Sequence, residues 1–347
     1  RPWEARSWAG FKLWPSVHLD TFPDGTVYPC IEVYNGRFYI VEVRDGALYL
    51  SCVVPETLKV EWTRLLVERV PGCYQGIPDT CIFNDKLWIV WNRQATGQPN
   101  YDITQSRQYL TYFDLKEGNT GPAIEIKPAE KGCGTWEGGI EVYNSRLWVL
   151  WMDVWLENGK RRTHIVLAPY DETEGFGNPI IWRDCPTAYP YGPSISPFGA
   201  QLALVYSDLA ATERDPTCEP LLWACFDGKR FRDSRVLHSL GRSRYAKGVQ
   251  VGRSFIMAYK CNTRWIEWGY KFHDIALTKV GPGPGDVDTV YYIDDMKYNS
   301  SPDMTVYKGD IYLVYNKFEH SYGDPADPAK LYGTFIGKIE PEVKRGD

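Results

Sequence analysis

Residues able to do acid–base chemistry recur at fixed places in this chain. Four positions before the Tyr, Phe or Val that leads into each of six short turns stand Cys30, Asp79, Gly139, Ser194, Lys247 and Asp303. Two positions earlier stand Tyr28, Ile77, Glu137, Gly192, Tyr245 and Ser301. Positions with a purely structural task should be apolar or small, yet these two sets hold three carboxylates, a lysine and two tyrosines. Crowded carboxyl groups repel one another, which raises the pKa of at least one, while Lys247 lowers that of its nearest neighbour. An acid and a base kept at separate pKa values are what glycoside cleavage requires, and the distance between the two carboxyls sets its stereochemistry. Asp79, Glu137 and Asp303 are therefore the candidate catalytic groups. Tyr28, Tyr245 and Lys247 are candidates for holding a ligand beside them, as is Tyr191 in the same loops. The same charges also fit a hydrated channel with no ligand.

These residues converge only if the six turns belong to equivalent units. The stretch IEVYNGRFYIVEV (Ile31–Val43) returns as IEVYNSRLWVLWM (Ile140–Met152), and weaker copies follow to the end of the chain. Aligned on the apolar residue after each turn, the copies fall at Phe38, Leu87, Leu147, Leu202, Phe255 and Ile311, separated by 49, 60, 55, 53 and 56 residues. Each is a strand, a short turn rich in Asn, Gly, Asp or Ser, and a second strand, which is a hairpin signature. A third apolar strand follows every hairpin, and a fourth follows five of them. The last unit lacks its fourth strand, while FKLWPSVHL (Phe11–Leu19) is left over before the first. The pattern predicts an all-β chain, a single six-bladed β-propeller over 1–347 with four-stranded antiparallel blades. Its N-terminal strand closes the last blade by pairing with Lys330–Lys338, because ring closure removes exposed sheet edges.

Composition bounds the function. A formal charge of −5 over 347 residues gives no basic surface for nucleic acid, and no apolar run of about 18 residues spans a membrane. The chain carries no nucleotide-binding, zinc-protease or nucleophile-elbow motif, and its five histidines stand singly, so neither cofactor nor metal is expected. It starts at Arg1 without an apolar leader, as a mature secreted protein would. Nine cysteines leave at least one unpaired. Cys73 and Cys133, at similar places before neighbouring hairpins, are the candidate disulfide. Long loops at 92–107, 152–162, 207–220 and 316–328 carry aromatics such as Tyr101, Trp155 and Tyr322 among charged residues including His320. Such loops suit a sugar or a protein partner, self-association included. The glycine-rich stretch 281–286 reads as a turn, and the sequon at Asn299 as unmodified.

The repeated line, Pro followed by an apolar strand, Tyr-Asn-Gly-Arg or its variants, and a second aromatic-rich strand, resembles the blades of sialidase-like and related glycoside-hydrolase propellers. That resemblance covers nearly the whole chain and implies a carbohydrate ligand held on the loops that lead into the innermost strands. It also implies arginines for an acidic sugar, for which Arg93, Arg244 and Arg264 are available. The family's S-x-D-x-G-x-x-W turn motif is absent. The sequence therefore supports a carbohydrate-active propeller, as a glycoside hydrolase using axial carboxylates, or as a lectin-like or extracellular assembly protein without catalysis.

Overall fold

The computed structural model describes residues 8–19, 27–95, 103–215, 218–238, 242–262, 274–280, 291–293, 298–318 and 331–343. Among them run six antiparallel sheets, arranged as the blades of a propeller; five have their strands in sequence order, and the sixth adds the N-terminal segment beside its last strand. The innermost strands are Val27–Tyr34, Cys73–Phe83, Gly134–Tyr143, Pro190–Phe198, Arg242–Val251 and Tyr298–Tyr307. Four of the hairpins turn on two central residues with positive φ, such as Asn35 at 47° and Gly36 at 74°. Blades 4 and 5 instead place a glycine first, Gly199 at 61° and Gly252 at 60°. Both solutions match the right-handed twist of the strands they join.

The core is divided into wedges between neighbouring sheets. Trp91, Leu87 and Ile89 of blade 2 pack on Val41, Leu48 and Leu50 of blade 1, and comparable clusters fill each following gap. All six alignment anchors are buried to within 1% of complete. Each such side chain contributes roughly 1.5–3 kcal/mol by leaving water. The sixth wedge joins the ends of the chain, with Leu19, Ile31, Phe38 and Ile40 against Val314 and Ile336.

Closure uses the N-terminal segment, in a register different from the sequence expectation. The segment is broken in two. Trp8–Leu13 pairs with the far end of the last strand, placing Phe11 opposite Pro341 and Leu13 opposite Ile339. Val17 and His18 then pair with Ile336 and Phe335. The partner of Phe11–Leu13 thus lies beyond Lys338, and Pro15, which has no N–H for the ladder, breaks the strand opposite Gly337 before it pairs again. A Cβ on Gly337 would sit 2.6 Å from the Ser16 hydroxyl.

The Cys73–Cys133 disulfide does not form, and both side chains are thiols. Cys73 lies in the blade 2 ladder opposite Ala95, and Cys133 is buried in the turn leading into blade 3. Tyr101, Arg264, His320, Tyr322, Lys330 and the stretch 281–286 lie outside the described residues, as does the side chain of Asn299.

Removing residues 1–19 deletes the outer strand of blade 6, so the unfolding midpoint should fall sharply. Phe11→Ala alone, which empties a site beside Ile311, Leu313 and Ile339, should cost about 3–5 kcal/mol in denaturant unfolding. A midpoint unchanged by both would rule out this closure.

Candidate functional site

Every innermost strand carries an irregularity at the same height. The pairing register slips between Val27 and Cys30, Gly76 and Asp79, Trp136 and Gly138, Tyr191 and Ser194, Arg244 and Lys247, and Ser300 and Asp303. The slipped residues are Tyr28, Ile77, Glu137, Gly192, Tyr245 and Ser301, the earlier of the two sets singled out in the sequence. Five have left-handed backbone, with φ of 55° at Tyr28, 52° at Ile77, 54° at Gly192, 50° at Tyr245 and 51° at Ser301. For β-branched Ile77 this is a true outlier, and each non-glycine case costs about 1–3 kcal/mol. Four are followed by proline, at Pro29, Pro78, Pro193 and Pro302. Proline costs little at a bulge, where the ladder has already let go of that N–H. The bulges turn six backbone segments toward the axis.

Polar groups of the preceding blade brace this ring. Asn316 Oδ1 accepts from the Tyr28 N–H at 2.7 Å, and the Ser207 hydroxyl donates to the Ser243 carbonyl. Immediately below, the second set of residues links neighbouring blades. The Cys30 thiol donates to the Pro78 carbonyl at 2.9 Å, and Asp79 accepts from the Ile140 N–H at 3.1 Å. Ser194 donates to the Ala246 carbonyl, and Asp303 accepts from the Ile31 N–H at 2.7 Å. At Gly139 there is no room for a side chain, since a Cβ would meet the Asp79 carboxylate at 2.7 Å. Lys247 reaches across the axis to form an ion pair with Asp79. Burial alone would pull its ammonium pKa down, but Asp79 and Asp303 outweigh that and hold it above the usual lysine value.

This layer splits the axial channel in two. Above it a chamber of about 460 Å³ is walled by the six bulges, with Tyr28, Ile77, Glu137, Gly192, Tyr245 and Ser301 at one level and Pro29, Pro78, Pro193 and Pro302 beside them. Cys30, Ser194 and Lys247 also reach it. Below it a second space of about 1020 Å³ is lined by Asp79, Asp303 and Lys247 with Glu32 and Glu141. The nine candidate residues therefore do not share one pocket. Glu137, Tyr28, Tyr245 and Lys247 face the upper chamber, while Asp79 and Asp303 face the lower one. Tyr191 and Arg244 stand behind the upper wall. Arg93 braces blade 2 from the side, donating to Gln75 at 2.8 Å and lying 4.4 Å over the Tyr109 ring.

Glu137 is the chemically unusual group of the upper chamber. It is 1% exposed, and the Tyr191 hydroxyl donates to its Oε1 at 3.2 Å. Its Oε2 has no hydrogen-bond partner among the described residues and faces Gly192, itself part of the chamber wall. Burial pushes its pKa up to about 8, against the opposing pull of Arg244 and Tyr191. The cause is desolvation rather than the crowding of carboxylates expected from sequence. Tyr191 and Tyr245 share a 2.9 Å hydroxyl contact, and burial and then the Glu137 charge hold both phenols well above their ordinary value. Arg244 lies 4.8 Å over the Tyr191 ring, with its Nε donating to both Glu219 oxygens and Nη2 to Oε2 at 2.6–2.8 Å. In the lower space burial lifts Glu141 to about 8 and Asp303 to about 6.

Sequence reasoning missed Glu219, Glu32 and Glu141. Glu219 comes from the long loop of blade 4 and had no local signal. Glu32 and Glu141 sit two positions below Cys30 and Gly139, inside the repeated IEVYN itself, so strand alternation could have found them.

No protein-family model matches the chain, and no curated protein sequence matches it. Solved structures do. The chain resembles Trypanosoma rangeli sialidase in complex with sialic acid with a TM-score of 0.59 at 10% identity, over 94% of this chain and 59% of that one. A mutant of the same sialidase displaying trans-sialidase activity gives 0.61 at 14% identity, over 94% and 59%. The NanB sialidase of Streptococcus pneumoniae gives 0.63 at 7% identity, over 97% and 71%. The fold is that of a sialidase-like propeller. The chain spans about 59% of the length of the first two structures. Among the described residues no helix is long and apolar enough to cross a membrane, and no cluster of metal-binding side chains occurs.

Glu137 binds its proton more tightly in the folded state than in the unfolded chain, so its ionisation removes stability as pH rises from about 4.5 to about 8. Each such proton contributes a slope of up to about −1.4 kcal/mol per pH unit across that window. Glu141 adds a second slope over the same range. In Glu137→Gln the fall of unfolding free energy with pH should be shallower by about one proton's worth. An identical slope in the variant and the parent would show that Glu137 is not the buried acid.

Proposed function

We propose that the chain acts on a carbohydrate held in the upper axial chamber, with Glu137 as the group that gives a proton to the bond being cleaved. The observation that carries this is the Glu137 carboxyl, protonated near neutral pH, tied by Tyr191 at one oxygen and unpartnered at the other. Tyr28, Tyr245 and the surrounding prolines offer flat and aliphatic surfaces to a sugar ring. The solved sialidases that share the fold lend it a glycoside-hydrolase context. Asp79 and Asp303 face the lower space and are proposed to hold Lys247 in the chamber floor. Water attacks the sugar carbon as the leaving oxygen takes the Glu137 proton, and then returns a proton to Glu137. A secreted setting is proposed with this reading, in which burial shields six of the nine cysteines.

Binding without cleavage is the second reading. It is favoured by the engagement of Asp79 and Asp303, whose oxygens already accept backbone N–H groups and, at Asp79, the Lys247 ammonium. Glu137→Gln separates the two. The amide keeps a neutral donor in the chamber but has no proton to transfer. A screen of chromogenic glycosides and a glycan array on the parent identify the ligand. If the chain is a hydrolase, Glu137→Gln should lower kcat by about 10²–10⁴-fold with binding retained. Parent turnover should also fall as pH rises through about 8, where Glu137 loses its proton. Glycan binding with no turnover by the parent would leave the lectin-like reading, and no binding at all would remove both.

A further inference from the structure

Resting on the proposed carbohydrate site, we infer that the upper chamber selects uncharged sugar residues over acidic ones, and that Glu219 is a specificity-determining residue that withholds Arg244 from a ligand carboxylate. The inference comes from a census of charge around the chamber.

Of the cations near it, Lys247 and Arg244 are both committed, and Lys260 stands opposite Arg244 in the blade 5 ladder. Lys247 forms an ion pair with Asp79 and also feels the charge of Asp303. Arg244 is held by three short hydrogen bonds to Glu219, whose side chain is fully buried, while its guanidinium plane covers Tyr191. A fork-to-carboxylate pair of this kind is strong and geometrically fixed, and separating it would leave a buried carboxylate alone. Counting Lys247, Arg244 and Lys260 against Asp79, Asp303 and Glu219 balances the charge when all are ionised. Burial draws the Lys260 ammonium down to about 7, so the neighbourhood holds no surplus of positive charge near neutral pH. A sugar carboxylate entering it would lose its water and meet no available cation.

The rest of the wall suits a neutral ring. The phenols of Tyr191 and Tyr245 keep their protons, and Glu137 presents a neutral carboxyl. Neutral donors and acceptors pair with hydroxyl groups without the desolvation cost of a charge. Proline and tyrosine surfaces cover the C–H faces of the ring.

The test uses hexoside and hexuronide pairs of gluco, galacto and manno configuration, each pair differing only in CH₂OH against COO⁻ at C6, with sialosides as further acidic probes. Binding to the parent protein is read by titration of intrinsic fluorescence near neutral pH. For whichever configuration binds, the neutral member should bind at least about tenfold more tightly. Glu219→Gln frees the Arg244 charge, so in the folded variant that ratio should narrow by about tenfold. An acidic probe that binds the parent as tightly as its neutral partner, or more tightly, overturns the inference while leaving the carbohydrate site standing. An unchanged ratio in folded Glu219→Gln also overturns the role of Glu219. Where that variant does not fold, the parent ratio decides. Binding of no sugar, neutral or acidic, removes the site itself and the inference with it.

Discussion

One ammonium group on the axis has to serve two carboxylates that arrive from different blades. Lys247 of blade 5 meets Asp79 of blade 2 in an ion pair and carries the field of Asp303 from blade 6. The same two aspartates each take a backbone N–H from the next blade, Ile140 in one case and Ile31 in the other. Removing the lysine would leave buried charge without compensation, a far larger loss than that of a surface pair. The layer is therefore a tie across the ring and a partition of its channel at once. Everything above it is walled by bulged backbone, and everything below it by regular strand.

The partition gives the two chambers different chemistry. Below, four carboxyl groups share a wide space with one lysine, and burial keeps part of that charge protonated. Above, four prolines and two tyrosines stand among Ile77, Lys247 and smaller residues, and the wall's single carboxyl is neutral near physiological pH. Among the described residues lining the channel, those with left-handed backbone lie at the upper level. Ile77 and Tyr28 hold left-handed backbone because the ladder on either side and bracing groups such as Asn316 leave them no alternative. Strain repeated at one height around a ring, next to an unpartnered buried carboxyl, is the combination that distinguishes this chamber from a wet channel.

The hairpins were legible because their signals are local. Asn35-Gly36 announces its turn, alternation announces the strands beside it, and a spacing near 55 residues carries the same reading from Phe38 to Ile311. The leftover segment at Phe11 and the missing last strand pointed to closure, but the segment pairs further along the last strand than expected and is interrupted at Pro15. Matching offsets also brought the right residues to the axis. Their grouping was not legible, since residues at one offset divide between the two sides, Cys30 and Ser194 reaching the upper chamber and Asp79 and Asp303 the lower. Cys73 and Cys133 share the same offset from their hairpins, yet remain separate thiols.

By itself the sequence determined the number of blades, their strand order, the way the ring closes and the identity of the residues at the axis, because each follows from short-range pattern and repetition. Only the tertiary structure decided which carboxyl is an acid. Glu137 owes its raised pKa to burial by blades 3, 4 and 5 together, and Arg244 owes its restraint to Glu219, 25 residues away in a loop with no motif. Desolvation and the pairing of distant charges depend on what surrounds a group in three dimensions. Neighbours in sequence do not specify them.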